Sequence, residues 1–395
     1  MRDGPCTVDE YCANKTCSVK ENPCDDGNDC TVDACLPATG CLHAKAKDGA
    51  PCDDGSLCST KEACQAGQCA VLEQVTCADD RVCIDDSCDP KTGECVRSPT
   101  AKQGQSCEAS GKAQCVGSTC LYETADVAFV WVPGGKTPMS IWGDNYPLVE
   151  QTFLPPIVVQ QSGFWIMRDE MSIALHDKCV AGAAPFDGSV KSFEPVHYNG
   201  IGSGSGEACK DAPGITPNHP QGCVSHNVAL KACQRLIGPH GKAGHLPTIA
   251  QYERAARGGC EQYQGDCITS ARIYPWTDAP YDANYDACQF AKCGDKPQPV
   301  GGGKDISPYG VHDLAGNLVE TSRAFFLGSW FYTLSLQPTM AEDPVQNSYG
   351  PPYKAVGMGG DYTANKAGYM TGVYLRPIPM ENESRKGIRC VWTGL

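Results

Sequence analysis

Cysteine constrains this chain more than any other residue. Of its 27 cysteines, 18 fall in residues 1–122 and 9 in residues 123–395, whereas all six tryptophans lie at or beyond Trp131. Cytosolic thiols are held reduced, so cysteine at this density points to an oxidising compartment. Sulfur at one end and aromatics at the other indicate two parts with different sources of stability. The length of 395 residues also exceeds the ~100–200 of one ordinary domain. A formal charge of −14 argues against nucleic acid as a partner, because a phosphate backbone would be repelled. No apolar run approaches the ~18–20 residues of a membrane span, so the chain is not expected to cross one with a helix. Met1-Arg2-Asp3 leads straight into Cys6 with no apolar leader, which reads as a mature chain whose export signal has been removed.

Three four-cysteine blocks follow one another: Cys24, Cys30, Cys35, Cys41; Cys52, Cys58, Cys64, Cys69; and Cys77, Cys83, Cys88, Cys95. Partial blocks flank them, Cys6, Cys12, Cys17 before and Cys107, Cys115, Cys120 after. The first cysteines of the four later blocks (24, 52, 77, 107) lie 28, 25 and 30 residues apart, a repeat period. Between them stand Asp, Gly, Pro and Ala, with too little apolar surface to offset chain entropy. Disulfides must therefore hold each unit, at about 2–4 kcal/mol per bridge. Zinc sites favour closer pairs than these. Which cysteine pairs with which is not readable from spacing. The runs Asp25-Asp26-Gly27 and Asp53-Asp54-Gly55 could serve calcium loops, but Asp and Gly backbone preferences make solvated turns the better reading. Residues 30–43, CTVDACLPATGCLH, and 83–96, CIDDSCDPKTGECV, resemble the cysteine-rich repeats of slime-mould extracellular matrix proteins. That resemblance covers roughly residues 22–98 and implies an extracellular spacer. Residues 1–122 are accordingly expected to be a disulfide-rich stalk with little regular structure.

The texture changes at Ala128. Phe129-Val130-Trp131-Val132 is an apolar run stopped by Pro133-Gly134-Gly135, a strand followed by a turn. Phe164-Trp165-Ile166-Met167 is a second such run. Short helices are expected after Asp169-Glu170-Met171-Ser172, from His226 to Leu236, and over Thr248–Arg257. In the last, Thr248 is the N-cap and Glu253 faces Arg257 one turn on. The histidines form no metal-binding pair on a helix and read as packing or surface residues. Gly200 to Gly206 lacks the spacing and the following Lys-Ser/Thr of a phosphate loop.

An ordered set of motifs then points to a family. Phe129–Gly135 opens it, and His245-Leu246-Pro247-Thr248 through Arg257-Gly258-Gly259 continues it. Tyr274-Pro275-Trp276, Pro299-Val300-Gly301 and Tyr309-Gly310-Val311-His312-Asp313-Leu314-Ala315-Gly316-Asn317-Leu318-Val319-Glu320 follow. Gly359-Gly360-Asp361-Tyr362 and Gly387-Ile388-Arg389-Cys390 close it. In this order the segments resemble the formylglycine-generating enzyme (sulfatase-modifying factor) domain across about residues 127–395. The resemblance implies an α+β, C-type-lectin-like fold for a domain expected to span 123–395.

Fold alone does not confer activity. Oxidising members carry two copper-binding cysteines about nine and fourteen residues beyond the Gly-Gly motif, thiolates being soft ligands suited to Cu(I). Counted from Gly360, those places hold Tyr369 and Tyr374, and no cysteine lies between Cys293 and Cys390. Formylglycine generation is therefore rejected, and no copper is expected. The family resemblance does imply structural calcium, held by Asp313 and Glu320 carboxylates with the Gly316 and Leu318 carbonyls, where the family has Asn at the first position. It implies a second site at Asn284 with the Tyr285 carbonyl. By the same resemblance Cys233 joins Cys390. Cys260–Cys267, Cys288–Cys293 and Cys209–Cys223 are close enough to pair locally, which leaves Cys179 over.

A cleft that once received a peptide would be lined by Tyr369, Met370, Tyr374 and Arg376, with Trp330 and Tyr332 from the run Ser329–Tyr332. Tyr, Trp and Arg favour interface centres. The expectation is a secreted or cell-surface binding module whose ligand is an extracellular protein or glycan. Two alternatives stand beside it. One is a metal-dependent oxidoreductase with a different active site; the other is a filament or matrix subunit that self-associates through its repeats.

Overall fold

A computed structural model describes residues 10–13, 16–19, 24–36, 39–77, 82–99, 101–139, 142–143, 157–181, 214–263, 267, 272–277, 285–325, 354–364, 374–379 and 385–393. The chain divides into two compact units, residues 1–78 with 85–98, and residues 79–84 with 99–395.

The first unit is a series of antiparallel hairpins. β1 (Glu10–Ala13) pairs with β2 (Thr16–Val19), β3 (Thr31–Leu36) with β4 (Gly40–Lys45), β5 (Ser59–Gln65) with β6 (Gln68–Gln74), and β7 (Asp85–Cys88) with β8 (Cys95–Ser98). In all four, cysteines of the two strands stand directly opposite: Cys12 and Cys17, Cys35 and Cys41, Cys64 and Cys69, Cys88 and Cys95. Yet in the last three hairpins these neighbours do not bond to each other. Within each four-cysteine block the first cysteine bridges the fourth, Cys24–Cys41, Cys52–Cys69 and Cys77–Cys95, and the second bridges the third of the following block, Cys30–Cys64 and Cys58–Cys88. In the second unit Cys83 bridges Cys115, and the first cysteine of the three-cysteine block bridges its last, Cys107–Cys120. The Asp-Asp-Gly runs are turns. Asp25 and Asp53 accept from the amides of Gly27 and Gly55, and Asp26 and Asp54 from those of Asn28 and Ser56. This is the side-chain-to-backbone bonding that makes Asp a turn residue.

The second unit takes in residues that precede the domain start expected at 123. Its strands are β9 (Gln114–Val116), β10 (Thr119–Glu123), β11 (Ala128–Val132), β12 (Gly135–Met139), β13 (Trp142–Gly143), β14 (Ile157–Gln161) and β15 (Phe164–Met167). Helices α1 (Ile173–Ala181), α2 (His226–Arg235) and α3 (Ile249–Arg257) follow, then β16 (Val319–Phe325), β17 (Lys354–Met358), β18 (Tyr374–Pro379), β19 (Lys386–Gly387) and β20 (Val391–Thr393). One sheet has the order β20-β15-β11-β10-β9, the other β13-β18-β17-β16-β19, and β12 pairs with β14. A boundary at 122/123 therefore falls inside a sheet. Leu121 and Tyr122 stand opposite Val130 and Phe129, and β9 and β10, which carry Cys115 and Cys120, add to the same sheet.

The core follows from the apolar runs. All of β15 and all of β11 except Trp131 are buried, as central strands covered on both faces must be. Phe129 meets Trp392 edge to face at 4.8 Å, the geometry aromatic quadrupoles favour. In α3 the Thr248 hydroxyl accepts from Gln251 N while the Gln251 side chain accepts from Thr248 N, a reciprocal cap that satisfies two orphan donors. Every residue of α3 is buried, so its charges need partners. Arg257 pairs with Glu253 at 3.1 Å and Arg254 with Glu261 at 2.5 Å.

Candidate functional site

The segment 313–320 is where backbone strain and buried charge converge. Asp313 and Asn317 adopt left-handed φ of 56°, uncommon for residues with a side chain and most accessible to Asp and Asn. Gly316 lies against Lys292, where a Cβ would meet the Lys292 carbonyl at 2.9 Å. Asn317 N donates to that carbonyl at 2.9 Å. Lys292 itself belongs to the short loop Cys288–Cys293, closed by a disulfide. Its ammonium donates to Pro299 O at 2.5 Å, Gly301 O at 2.6 Å and Asp313 Oδ2 at 2.7 Å. Gly301 N adds a bond to the same Asp313 oxygen at 2.8 Å.

Beyond this lies a second ion pair. Arg389 is fully buried and donates from Nε to Glu320 Oε1 at 2.6 Å. Its remaining hydrogens go to the carbonyls of Met167 and Arg168 at 2.9 Å, of His312 at 2.8 Å and of Asp313 at 3.3 Å. The Tyr252 hydroxyl donates to Glu320 Oε2. Glu170 accepts from Leu318 N at 3.0 Å and from the Asn317 amide group. Burial, with the charge of Glu320 beside it, pushes Glu170 well above the ordinary carboxylate range. Burial does the same to Asp305, whose Oδ2 accepts from Ala315 N at 2.6 Å. Four buried acids thus surround two buried cations, and burial raises three of the acids, Glu170, Asp305 and Glu320, which disfavours surplus negative charge in this interior.

At the edge of this network the His312 ring bonds through Nδ1 to Asp169 Oδ1 at 2.8 Å. Burial acts to raise Asp169, but hydrogen bonds from His312 and Arg168 outweigh it and hold the carboxyl at about 2. The arrangement orients and neutralises charge; it ties the strand pair β15 and β20 to the 299–320 loops.

Residues 121–394 match the profile of the Sulfatase-modifying factor enzyme 1-like domain. The chain belongs to this family. Residues 23–45 and 76–100 match the Dictyostelium (slime mold) repeat. No curated protein matches the chain. Similar solved structures include PvdO from Pseudomonas aeruginosa, at TM-score 0.49 and 18% identity, covering 69% of this chain and 97% of that one. Treponema denticola variable protein 1 gives 0.43 and 18%, covering 69% and 98%. CarF gives 0.41 and 18%, covering 68% and 99%.

Within this sulfatase-modifying-type domain, the residues expected to matter separate into three groups. Asp313, Gly316, Leu318 and Glu320 are all in the network above, but Asp313 and Glu320 each have a protein cation, Lys292 and Arg389. Tyr285 stands in an aromatic group, 4.8 Å from the Tyr274 ring, and its hydroxyl accepts from Trp276 Nε1 at 3.1 Å. Its carbonyl already accepts from Ala287 N at 3.1 Å. Asn284, Trp330, Tyr332, Tyr369 and Met370 lie outside the described residues. Tyr374 and Arg376 lie on β18, opposite Trp142 and Gly357.

The cysteines form the third group. Cys233 bridges Cys390, Cys260 bridges Cys267, and Cys288 bridges Cys293. Cys223 is in a disulfide, while Cys209 lies outside the described residues. Cys179, on α1, is the free thiol among the described residues, and burial pushes it up to about 11. Sequence reasoning missed Glu170, Lys292 and Asp305. Glu170 and Lys292 were visible only as charges near apolar or cysteine-flanked runs, and no spacing announces partners so far apart in the chain.

Proposed function

We propose that the chain is a secreted or cell-surface binding protein, in which a disulfide-bridged array carries a sulfatase-modifying-type domain that does not perform the family's oxidation. One observation carries this reading. The places for the copper-binding pair hold Tyr369 and Tyr374, no cysteine lies between Cys293 and Cys390, and both of those cysteines are bridged. Cys179 alone, the free thiol among the described residues, does not make the pair of thiolates that such a copper centre uses. The ligand is an extracellular protein or glycan, received where Tyr369, Met370, Tyr374, Arg376, Trp330 and Tyr332 replace the oxidative centre. Cysteine density and the match to slime-mould repeats support the extracellular setting.

The test uses the full chain. Copper-loaded protein is incubated aerobically with cysteine-containing peptides, and the products are followed by mass. The peptides are expected to be unchanged, and copper-dependent conversion to an aldehyde would refute the reading. In parallel, labelled protein is applied to glycan and peptide arrays, where Arg376→Ala is expected to abolish the signals the native chain gives.

A further inference from the structure

Family resemblance places calcium at residues 313–320, and the donors found there do not fit it. Calcium takes six to eight oxygens around one centre. Asp313 Oδ2 already accepts from Lys292 Nζ at 2.7 Å and Gly301 N at 2.8 Å. Glu320 gives one oxygen to Arg389 and the other to Tyr252. What remains of the two carboxylates is Asp313 Oδ1, buried and without a partner. It faces Gly303, where a Cβ would stand 3.0 Å away, with Lys292 Cε 3.3 Å from the same point. One spare carboxylate oxygen beside an ammonium makes a poor home for a divalent ion even with the Gly316 and Leu318 carbonyls, because the two cations repel across a low-dielectric interior.

Lys292, by contrast, is built in. An ammonium has three hydrogens to donate, and all three find oxygens: Pro299 O, Gly301 O and Asp313 Oδ2. Gly301 and Gly302, with φ of 66° and 67°, give the loop the left-handed backbone that only glycine adopts without strain. The main chain of Lys292 is fixed as well, by the bond from Asn317 N and by close packing against Gly316. We infer that the Lys292 ammonium is the resident cation of this loop, filling the place that family resemblance gives to calcium, so that the turn 313–320 keeps its form without a divalent ion. A cation attached to the chain also has no dissociation equilibrium, so the fold loses its dependence on metal concentration.

The experiment reads stability and metal content. The full chain is dialysed against EGTA or against millimolar calcium, its melting is followed by tryptophan fluorescence, and bound metal is counted by elemental mass spectrometry. An unchanged melting temperature and no retained calcium are expected; stoichiometric calcium with a lower melting temperature after chelation overturns the inference. Lys292→Met strands a buried carboxylate and is expected to lower the melting temperature by about 6–20 °C. Lys292→Met with Asp313→Asn removes both charges and is expected to recover at least half of that loss. Recovery also supports the inference if Lys292→Met alone fails to fold and the pair folds. A pair no more stable than Lys292→Met, or equally unable to fold, refutes it.

Discussion

Removing the Cys233–Cys390 bridge tests whether this glycine- and proline-rich domain relies on cross-links rather than on regular structure. The bridge joins α2 to the segment just before β20, across a sequence separation of 157, and both cysteines are fully buried. If a disulfide acts by restricting the unfolded chain, a loop of that length is worth about 5 kcal/mol at 25 °C. Cys288–Cys293 closes a separation of only 5, for which the same relation gives about 2 kcal/mol. Replacing each pair by alanines should therefore reveal a gap of about 3 kcal/mol. Guanidinium unfolding followed by tryptophan fluorescence is suited to this, since all six tryptophans lie at or beyond Trp131. The midpoint should fall further for the long bridge, with both variants folded at the start of the titration. Equal losses would refute the chain-entropy reasoning and assign the effect to local packing of the sulfurs.

Three further outcomes follow from buried groups. Arg389→Met leaves Glu320 buried without its guanidinium and should cost about 3–5 kcal/mol in thermal unfolding, part of which Arg389→Met with Glu320→Gln should restore. Burial, aided by Lys386, holds His226 down at about 4 from an ordinary 6.5. Between those values the unfolded chain binds the extra proton, so stability should decline as pH falls from about 6.5 to about 4, a slope that His226→Gln should flatten. The Cys179 thiol, at about 11, should resist iodoacetamide at pH 8 while the chain is folded and react at once in denaturant; rapid labelling of the folded protein would show the thiol to be open and ionised.

The strands around Phe129 and Trp165 and the three helices were legible because each depends on a local pattern. Apolar runs stopped by Pro-Gly mark strands, and Thr248 ahead of a helical stretch marks an N-cap. The cap was richer than its first residue indicated, since Gln251 returns the bond to Thr248. The candidate site was legible only as a motif. Glu320 and Arg389 stand in quoted segments, yet their union spans 69 residues, and nothing in either segment specifies the other. Lys292 was harder still, a lysine inside a cysteine-closed loop with no motif of its own. The extent of the second unit escaped for a similar reason. Strands β9 and β10 carry the cysteines of the array but hydrogen-bond with the aromatic-rich sheet, so composition and architecture change at different residues.

The alternation of bridges has a consequence for resistance to cleavage. The loops 24–41, 30–64, 52–69, 58–88, 77–95, 83–115 and 107–120 overlap in succession. Every peptide bond from Cys24 to Cys120 is thus spanned by at least one sulfur link. A protease that nicks any single bond in this stretch leaves the fragments attached, because a second covalent route always bypasses the cut. Bridges confined within blocks would leave each connector as a point of severance. Passing one link forward to the next block turns a string of small modules into a mesh.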